Sequence, residues 1–164
     1  MKPSIFIGVS LFVLVSLNWL IVDRELILHS GRTILCELGP RDPRSIMQGD
    51  YMVLRYVISR EAANALPRDR FDGGLVVSID NNDVASFQRL DDGGALAANE
   101  ARIRFRRRNS HLFSRDSVWI GAESYFFQEG RAQVFAQARY GELKVAANGE
   151  TVLIGLRDAN RRPL

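Results

Sequence analysis

The sequence is poor in the residues that build metal centres and disulfide frameworks. Among its 164 residues there is one cysteine, Cys36, and there are two histidines, His29 and His111. A single cysteine excludes a disulfide within the chain and a cysteine-based zinc site, and two histidines leave little for a histidine-rich metal centre. We therefore expect no metal and no cofactor.

Lysine is scarce as well, since the chain has two lysines and twenty arginines. The 22 basic residues exceed the 19 acidic ones by three, so the pI of about 9.4 reflects a small excess of charge. Such an excess does not indicate a nucleic-acid partner, and we expect none. With 46% apolar and 25% charged residues, the chain can bury a core, and its length allows one ordinary domain with or without an anchor.

One long apolar run lies at the N-terminus. Ile5–Val22 contains eighteen residues and no charged side chain. As a helix that rises about 1.5 Å per residue, it covers roughly 27 Å, which is close to the hydrocarbon thickness of a bilayer. We therefore expect the lipid bilayer to be a partner of the chain through residues 5–22.

Three interpretations of this run compete. A cleaved signal peptide requires a short polar region with small residues after the run, but three charged residues follow Val22 directly. A buried core helix normally shows a polar face, which this run lacks. An uncleaved signal-anchor is favoured. Because Lys2 precedes the run, the positive-inside tendency places Met1 in the cytoplasm and the residues after the run outside it.

The apolar pattern continues past the run through Leu26–Leu28, and Ser30-Gly31 supplies a helix-stop signal. We therefore expect a helix that projects beyond the bilayer and packs on the domain that follows. No internal repeat or low-complexity linker divides the remainder of the chain. The predicted organisation is an anchor over residues 1–30 and one extracytoplasmic domain over residues 31–164.

The remainder is patterned mainly for strands, because its apolar and β-branched runs are short and are separated by turn residues. Asn148-Gly149 is the strongest hairpin signal, and one strand that is apolar on both faces is expected in the centre of a sheet. The predicted fold class is mainly β (α+β), a compact and mostly antiparallel domain of about eight strands. The candidate strands are Thr33–Leu38, Tyr51–Ser59 (the central one), Leu75–Asp80, Val84–Leu90, Ala101–Arg108, Val118–Gly121, Ser124–Phe127, Leu143–Ala146 and Thr151–Leu156.

Helical features are few in this domain. Asp42 as N-cap and Pro43 at the first helical position predict one helical turn. Gly130 precedes a short helix predicted near residues 131–139, whose apolar side chains share one face. Arg60–Arg70 is either a loop or a short helix.

A longer motif begins at Gly49. The residues Gly49-Asp50-Tyr51-Met52-Val53-Leu54-Arg55-Tyr56 fit the pattern G-D-Y-x-x-L-x-Y, and the sequence resembles the GDYXXLXY family of bacterial proteins. Four further segments resemble that family, so the resemblance covers nearly the whole chain. These segments are Asp42–Arg44, Tyr125–Gly130, Tyr140–Glu142 and Gly155–Asp158.

The resemblance implies an envelope protein with a single span or a signal sequence and a multi-span membrane protein as a candidate partner. It implies no reaction. Together with the apolar run, it gives the expected location: single-pass in the bacterial inner (cytoplasmic) membrane, with the N-terminus in the cytoplasm and the C-terminal domain in the periplasm.

The motif has a structural interpretation and an interaction interpretation. Gly49 suits a tight turn with positive φ, and the carboxylate of Asp50 can accept backbone N–H groups there. Strand alternation places Tyr51 on the opposite face from Leu54 and Tyr56. The motif is therefore either a turn followed by a core strand or a binding surface. The candidate interaction residues are Gly49, Asp50, Tyr51, Leu54, Tyr56, Glu129 and Gly130.

Two classes of function are compatible with these patterns. We favour a non-enzymatic binding or accessory subunit of a membrane complex and assign no catalytic residue. The alternative is an envelope hydrolase with a site built around Asp50, Tyr51 and Glu129. A cysteine nucleophile with a histidine base is disfavoured, because Cys36 lies in the middle of a predicted strand, where a single cysteine packs as a small apolar residue.

A basic run is the most conspicuous surface feature of the sequence. Strand alternation places Arg102, Arg104 and Arg106 on the wet face of one strand, where opposing acids can pair with them. Alternatively, the run contacts lipid phosphates, anionic glycans or the acidic face of a partner. The candidate residues for such a contact are Arg102, Arg104, Arg106, Arg107 and Arg108.

Overall fold

The structure of the protein is a computed structural model that describes residues 3–40, 51–67, 69–108 and 117–164. Within this part of the chain, a long N-terminal helix precedes a β-rich domain that also contains two short helices. The predicted fold class, mainly β with few helices after an N-terminal apolar helix, is confirmed.

The N-terminal helix α1, Pro3–Ser30, carries the apolar run and keeps the large apolar side chains from Phe6 to Val22 exposed. The stretch Phe6–Ser30 includes a window with a mean hydropathy of 2.0, so it is long and apolar enough to cross a membrane. The helix ends where the sequence predicts, because the N–H of Gly31 donates to the carbonyl of Ile27 (2.9 Å) and the next element is a strand.

Nine strands and two short helices follow in the described part of the chain. The strands are β1 Arg32–Glu37, β2 Tyr51–Val53, β3 Asp72–Ile79, β4 Val84–Leu90, β5 Glu100–Arg108, β6 Ser117–Trp119, β7 Ser124–Phe126, β8 Tyr140–Val145 and β9 Thr151–Arg157. The helices are α2 Val57–Ala65 and α3 Ala132–Phe135.

Seven of these strands form one sheet in the order β6-β5-β3-β4-β1-β8-β9, and β2 and β7 form a separate two-stranded sheet. All pairings are antiparallel except that of β1 with β4, in which Leu35 lies opposite Val84. The strand β1 therefore joins the β3–β4 hairpin on one side to the β8–β9 hairpin on the other.

The seven-stranded sheet is curled, so the β8–β9 turn reaches across to the far side. The N–H of Arg104 in β5 donates to the carbonyl of Gly149 in that turn (2.7 Å). The hydroxyl of Thr151 donates to the carbonyl of Ile120, just after β6. Because neither contact belongs to a strand ladder, both hold the curled sheet closed around its interior.

The core lies inside this curl. Alternate side chains of the strands point inward, as the period of a strand dictates. Helix α2 adds Ile58 and Ala62, which are four residues apart and therefore lie on one face of the helix. The fully buried inward side chains of the sheet include Ile34, Cys36, Leu75, Val77, Ile103 and Leu143.

The prediction of a central strand over Tyr51–Ser59 is wrong. The strand ends at Val53 and pairs only in the two-stranded sheet, and α2 begins at Val57. Burial alternates as far as Ile58, which explains why the segment resembles a strand. The backbone nevertheless turns into a helix, because packing Ile58 and Ala62 against the core outweighs the β propensity of the segment.

Other predicted boundaries differ by a few residues or cannot be compared. The helix predicted near residues 131–139 is confirmed but is shorter, Ala132–Phe135, and turn hydrogen bonds continue as far as Ala138. Arg60–Arg70 begins inside α2, and its described residues after Ala65 belong to no helix or strand. The helical turn predicted at Asp42 and Pro43 lies outside the described residues.

We predict that Gly141→Ala destabilises the protein by about 1–3 kcal/mol, because a Cβ there would lie 2.8 Å from Cε1 of the buried Tyr56 ring. Thermal unfolding of the full-length protein in detergent measures this change. Gly155→Ala is the matched control on the paired strand, since its Cβ would meet nothing closer than 3.6 Å. Equal melting temperatures for the two variants would contradict the predicted contact.

Candidate functional site

The GDYxxLxY motif divides between the surface and the core. Gly49 and Asp50 lie outside the described residues, so the predictions for them stay predictions. Tyr51 lies at the start of β2 with 39% of its surface exposed. Leu54 and Tyr56 are buried in the core, each only 2% exposed. The motif therefore supplies both a core anchor and an outward-facing side chain.

Tyr56 connects three segments of the domain. Its hydroxyl donates to the carbonyl of Ala122 (2.6 Å), and its backbone forms an isolated β-bridge with Leu38 just after β1. Its ring lies against Gly141 of β8, where no Cβ obstructs it. Burial raises the pKa of Tyr56 well above its ordinary value of 10.0, with smaller contributions from Cys36 and Glu123, so the phenol stays a neutral donor.

The segment between β6 and β7 is held by a buried carboxylate that the sequence does not identify as structural. Glu123 accepts hydrogen bonds from the backbone N–H groups of Ile120 and Gly121. Its own carbonyl accepts the N–H of Leu54 (2.7 Å). Burial raises the pKa of Glu123 although these N–H groups oppose the rise. The sequence signal for this turn is Gly121, whose φ is +87°.

An exposed apolar surface, which we call the β2–β7 face, forms beside the motif. It consists of Tyr51 and Val53 of β2 and Phe126 of β7. Tyr51 lies directly opposite Phe126, with the ring centroids 5.8 Å apart, and Phe126 is 74% exposed. The neighbouring aromatic rings, Tyr125 and Phe127, instead pack inward on Phe135 of α3, so the face has a fixed support.

The remaining motif-linked candidates lie just after β7. Glu129 and Gly130 are both exposed in the turn before α3, and Gly130 has a φ of +83°. This turn follows the β2–β7 face along the chain. The hydrolase alternative therefore has two exposed members, Tyr51 and Glu129, while its third member, Asp50, lies outside the described residues.

The basic run forms β5 and alternates as the sequence predicts. Arg104 and Arg106 are exposed, Arg102 is half-buried, and Ile103 and Phe105 are buried on the opposite face. These three arginines therefore share the outer face of the curled sheet.

Arg107, the next arginine of the run, is oriented differently from the first three. The guanidinium of Arg107 is turned inward, where its Nη1 donates to the carbonyl of Pro67 (2.7 Å). Arg107 therefore holds the loop after α2 and is not part of the outer face. Arg108 is the last residue of β5, and its side chain lies outside the described part of the structure.

A cleft of about 700 Å³ opens over the outer face of β5. We call it the arginine cleft, defined by the four arginines Arg24, Arg102, Arg104 and Arg106. It also contains carboxylates. Asp91 forms an ion pair with Arg102, while Glu150 in the β8–β9 turn lies 3.7 Å from Arg24 and 3.7 Å from Arg104.

The position of Arg24 in this cleft depends on a tight junction between α1 and the domain. Ile27, one turn before the end of α1, is buried. The ammonium of Lys144 in β8 donates to the carbonyl of Gly31 (3.1 Å). A Cβ on Gly31 would lie 2.5 Å from the carbonyl oxygen of Ile27 and 3.1 Å from that of Val145. Helix and sheet therefore meet through one residue, which has no room for a side chain.

Of the remaining sequence candidates, Cys36 lies within the described residues and has a structural role. Cys36 is fully buried in β1, and burial raises the pKa of its thiol, which disfavours the nucleophilic thiolate. His111 lies outside the described residues. Across the ranges 3–40, 51–67, 69–108 and 117–164, no group of three or more His, Cys, Asp or Glu side chains could hold a metal ion.

Comparison with known proteins gives one match. A family model described as "GDYXXLXY protein" matches residues 13–156, which is most of the chain. No curated protein and no solved structure matches. The match extends from the middle of α1 into β9, so it includes the motif, the β2–β7 face and all of β5.

We predict that Gly31→Ala loosens the junction between helix and sheet, because its Cβ would collide with backbone oxygens that cannot move aside. A loss of about 1–2 kcal/mol of local stability should raise tryptic cleavage after Arg32 about 5–30-fold in the membrane-inserted protein. Gly8→Ala is the control within α1, since nothing lies within 4 Å of its Cβ. An unchanged cleavage rate for Gly31→Ala would show that the junction tolerates a side chain.

Proposed function

The chain belongs to the GDYXXLXY family, and we propose that it acts as a membrane-anchored accessory subunit without catalytic activity. In this proposal, α1 anchors the protein in the bacterial inner membrane and the β domain lies in the periplasm. The domain binds a neighbouring multi-span membrane protein. Each part has its own support.

The observation that carries the proposal is the direct connection of the apolar helix to β1, an interior strand of the seven-stranded sheet. Helix α1 ends at Ser30 and β1 begins at Arg32, so one residue, Gly31, connects them. The buried side chain of Ile27 and the hydrogen bond from Lys144 fix the angle between the two elements. A tether of this length holds the domain at the membrane surface and presents its sides to neighbouring membrane proteins.

The β2–β7 face supplies a surface suited to such a neighbour. Aromatic side chains are enriched in the cores of protein interfaces, because they bury large areas at a low cost in conformational entropy. The exposed rings of Tyr51 and Phe126 lie on two paired strands, and the inward packing of Phe127 on Phe135 supports them. The surface is therefore preorganised for binding a partner.

The orientation of the chain in the membrane is inferred from the charges on either side of the apolar run. Lys2 precedes the apolar run, whereas the residues that follow it, Asp23, Arg24 and Glu25, are of mixed sign. The positive-inside tendency then favours a cytoplasmic N-terminus. The ion pair of Arg24 with Glu150 of the domain offsets the one positive charge at the other end of the run.

Reporters fused after Leu164 through a flexible linker test the predicted membrane topology. Alkaline phosphatase folds only outside the cytoplasm, so we expect an active phosphatase fusion and a dark green fluorescent protein fusion. A control that carries both reporters on an inner-membrane protein of opposite orientation calibrates the two signals. An inactive phosphatase fusion together with a fluorescent green fluorescent protein fusion would overturn the predicted orientation of the chain.

The partner can be captured by a photo-crosslinking residue in place of Phe126 in living cells. We expect a crosslink to one multi-span membrane protein, and recovery of that protein with detergent-extracted Phe126→Ser or Tyr51→Ser should fall by at least about tenfold. The same crosslinker at Ile154, which is 40% exposed on edge strand β9, is the control. Equal crosslinking from both positions, or unchanged recovery with the serine variants, would exclude this face as the contact.

A further inference from the structure

We propose that the arginine cleft binds the phosphate group of an anionic lipid headgroup. This inference rests on the membrane anchoring in the proposed function but does not require the protein partner. It follows from the unpaired donors of the cleft, its position along α1 and the shape of its walls.

The guanidinium groups of the cleft have more N–H donors than the neighbouring carboxylates engage. Four arginines face three carboxylates, namely Asp72, Asp91 and Glu150. The guanidinium of Arg102 is held by Asp91 and by the carbonyl of Gly94. Arg24 and Arg104 share the one carboxylate of Glu150, each at 3.7 Å, which is too long for a hydrogen bond.

Arg106 is freer still, since its guanidinium makes no hydrogen bond or ion pair with any residue that the structure describes. Each guanidinium carries five N–H donors in a planar fork, and that fork matches the oxygens of a phosphate bidentately. Arg24, Arg104 and Arg106 can therefore direct donors into the cleft while Glu150 keeps the first two in place.

The cleft begins where the headgroups of a bilayer begin. Arg24 belongs to α1 and follows Val22, the last residue of the uncharged run, by two positions. At a rise of about 1.5 Å per residue, its Cα lies about 3 Å beyond that run. The tight junction at Gly31 joins α1 directly to the sheet, so Arg24 of α1 and the arginines of β5 line one cleft just beyond the uncharged run. This position favours a lipid phosphate over a soluble one.

The walls leave room for a headgroup. Gly74 of β3 lies opposite Arg104 of β5 and so places no side chain over the outer face. Gly74 has a second role, since a Cβ there would lie 2.7 Å from Oδ2 of Asp91, the partner of Arg102. Trp119 also lines the cleft, and an indole is a side chain that suits the interfacial layer of a membrane.

Native mass spectrometry of the full-length protein, released from detergent with phosphatidylglycerol or phosphatidylcholine, tests the assignment. We expect selective adducts with phosphatidylglycerol, and the double variant Arg104→Gln/Arg106→Gln should lower that affinity by about 30-fold. The matched control is Arg161→Gln/Arg162→Gln, which removes the same charge from two exposed residues near the C-terminus. Melting temperatures establish that both double variants are folded.

Inorganic phosphate distinguishes the lipid from a free anion. We expect millimolar phosphate to leave the melting temperature unchanged while short-chain phosphatidylglycerol raises it. Stabilisation by phosphate that the lipid does not increase would overturn the lipid assignment, as would equal loss of adducts in the cleft and control variants. If no crosslink forms from position 126, only the partner proposal is rejected, because neither native mass spectrometry nor the melting temperatures depend on the β2–β7 face.

Discussion

The one-residue connection between α1 and β1 is the constraint on which the rest of the molecule depends. The strand that starts there pairs with β4 in parallel and with β8 in antiparallel register, so it joins the two hairpins of the sheet. Because Gly31 has backbone oxygens where a side chain would be, the helix cannot swing freely about this joint. The position of the apolar helix relative to β1, and through it to β4 and β8, is therefore fixed at this joint.

The motif shows how one short segment serves folding and surface chemistry together. Leu54 and Tyr56 are buried, and the Tyr56 hydroxyl and the Leu54 N–H both bond to the segment held by Glu123. That segment leads into β7, the strand on which β2 pairs. The buried members of the motif thus position the exposed ring of Tyr51 beside Phe126. The β2–β7 face has few residues, and it keeps its shape because buried side chains of the core support it.

The arginine cleft depends on the curl of the sheet as much as on its arginines. A flat sheet would spread Arg102, Arg104 and Arg106 over an open wet face, where each would be solvated. The bond from the Arg104 N–H to the Gly149 carbonyl brings the β8–β9 turn over this face and delivers Glu150 to it. The same turn contacts Arg24 of α1, so helix, turn and strand converge on one site.

Local pattern in the sequence determined the apolar helix and its end at Ser30-Gly31, the β-rich class, the Asn148-Gly149 hairpin and the alternation of β5, because each depends on neighbours within a few residues. It failed at Val57–Ser59, where alternating burial continues but the backbone turns helical to pack Ile58 on the core. It also could not supply the contact of Arg107 with the Pro67 carbonyl or identify Glu123 as the carboxylate that holds a turn. Only the tertiary structure decided these roles, together with the β2–β7 face and the cleft, because they arise from contacts between residues far apart in the chain.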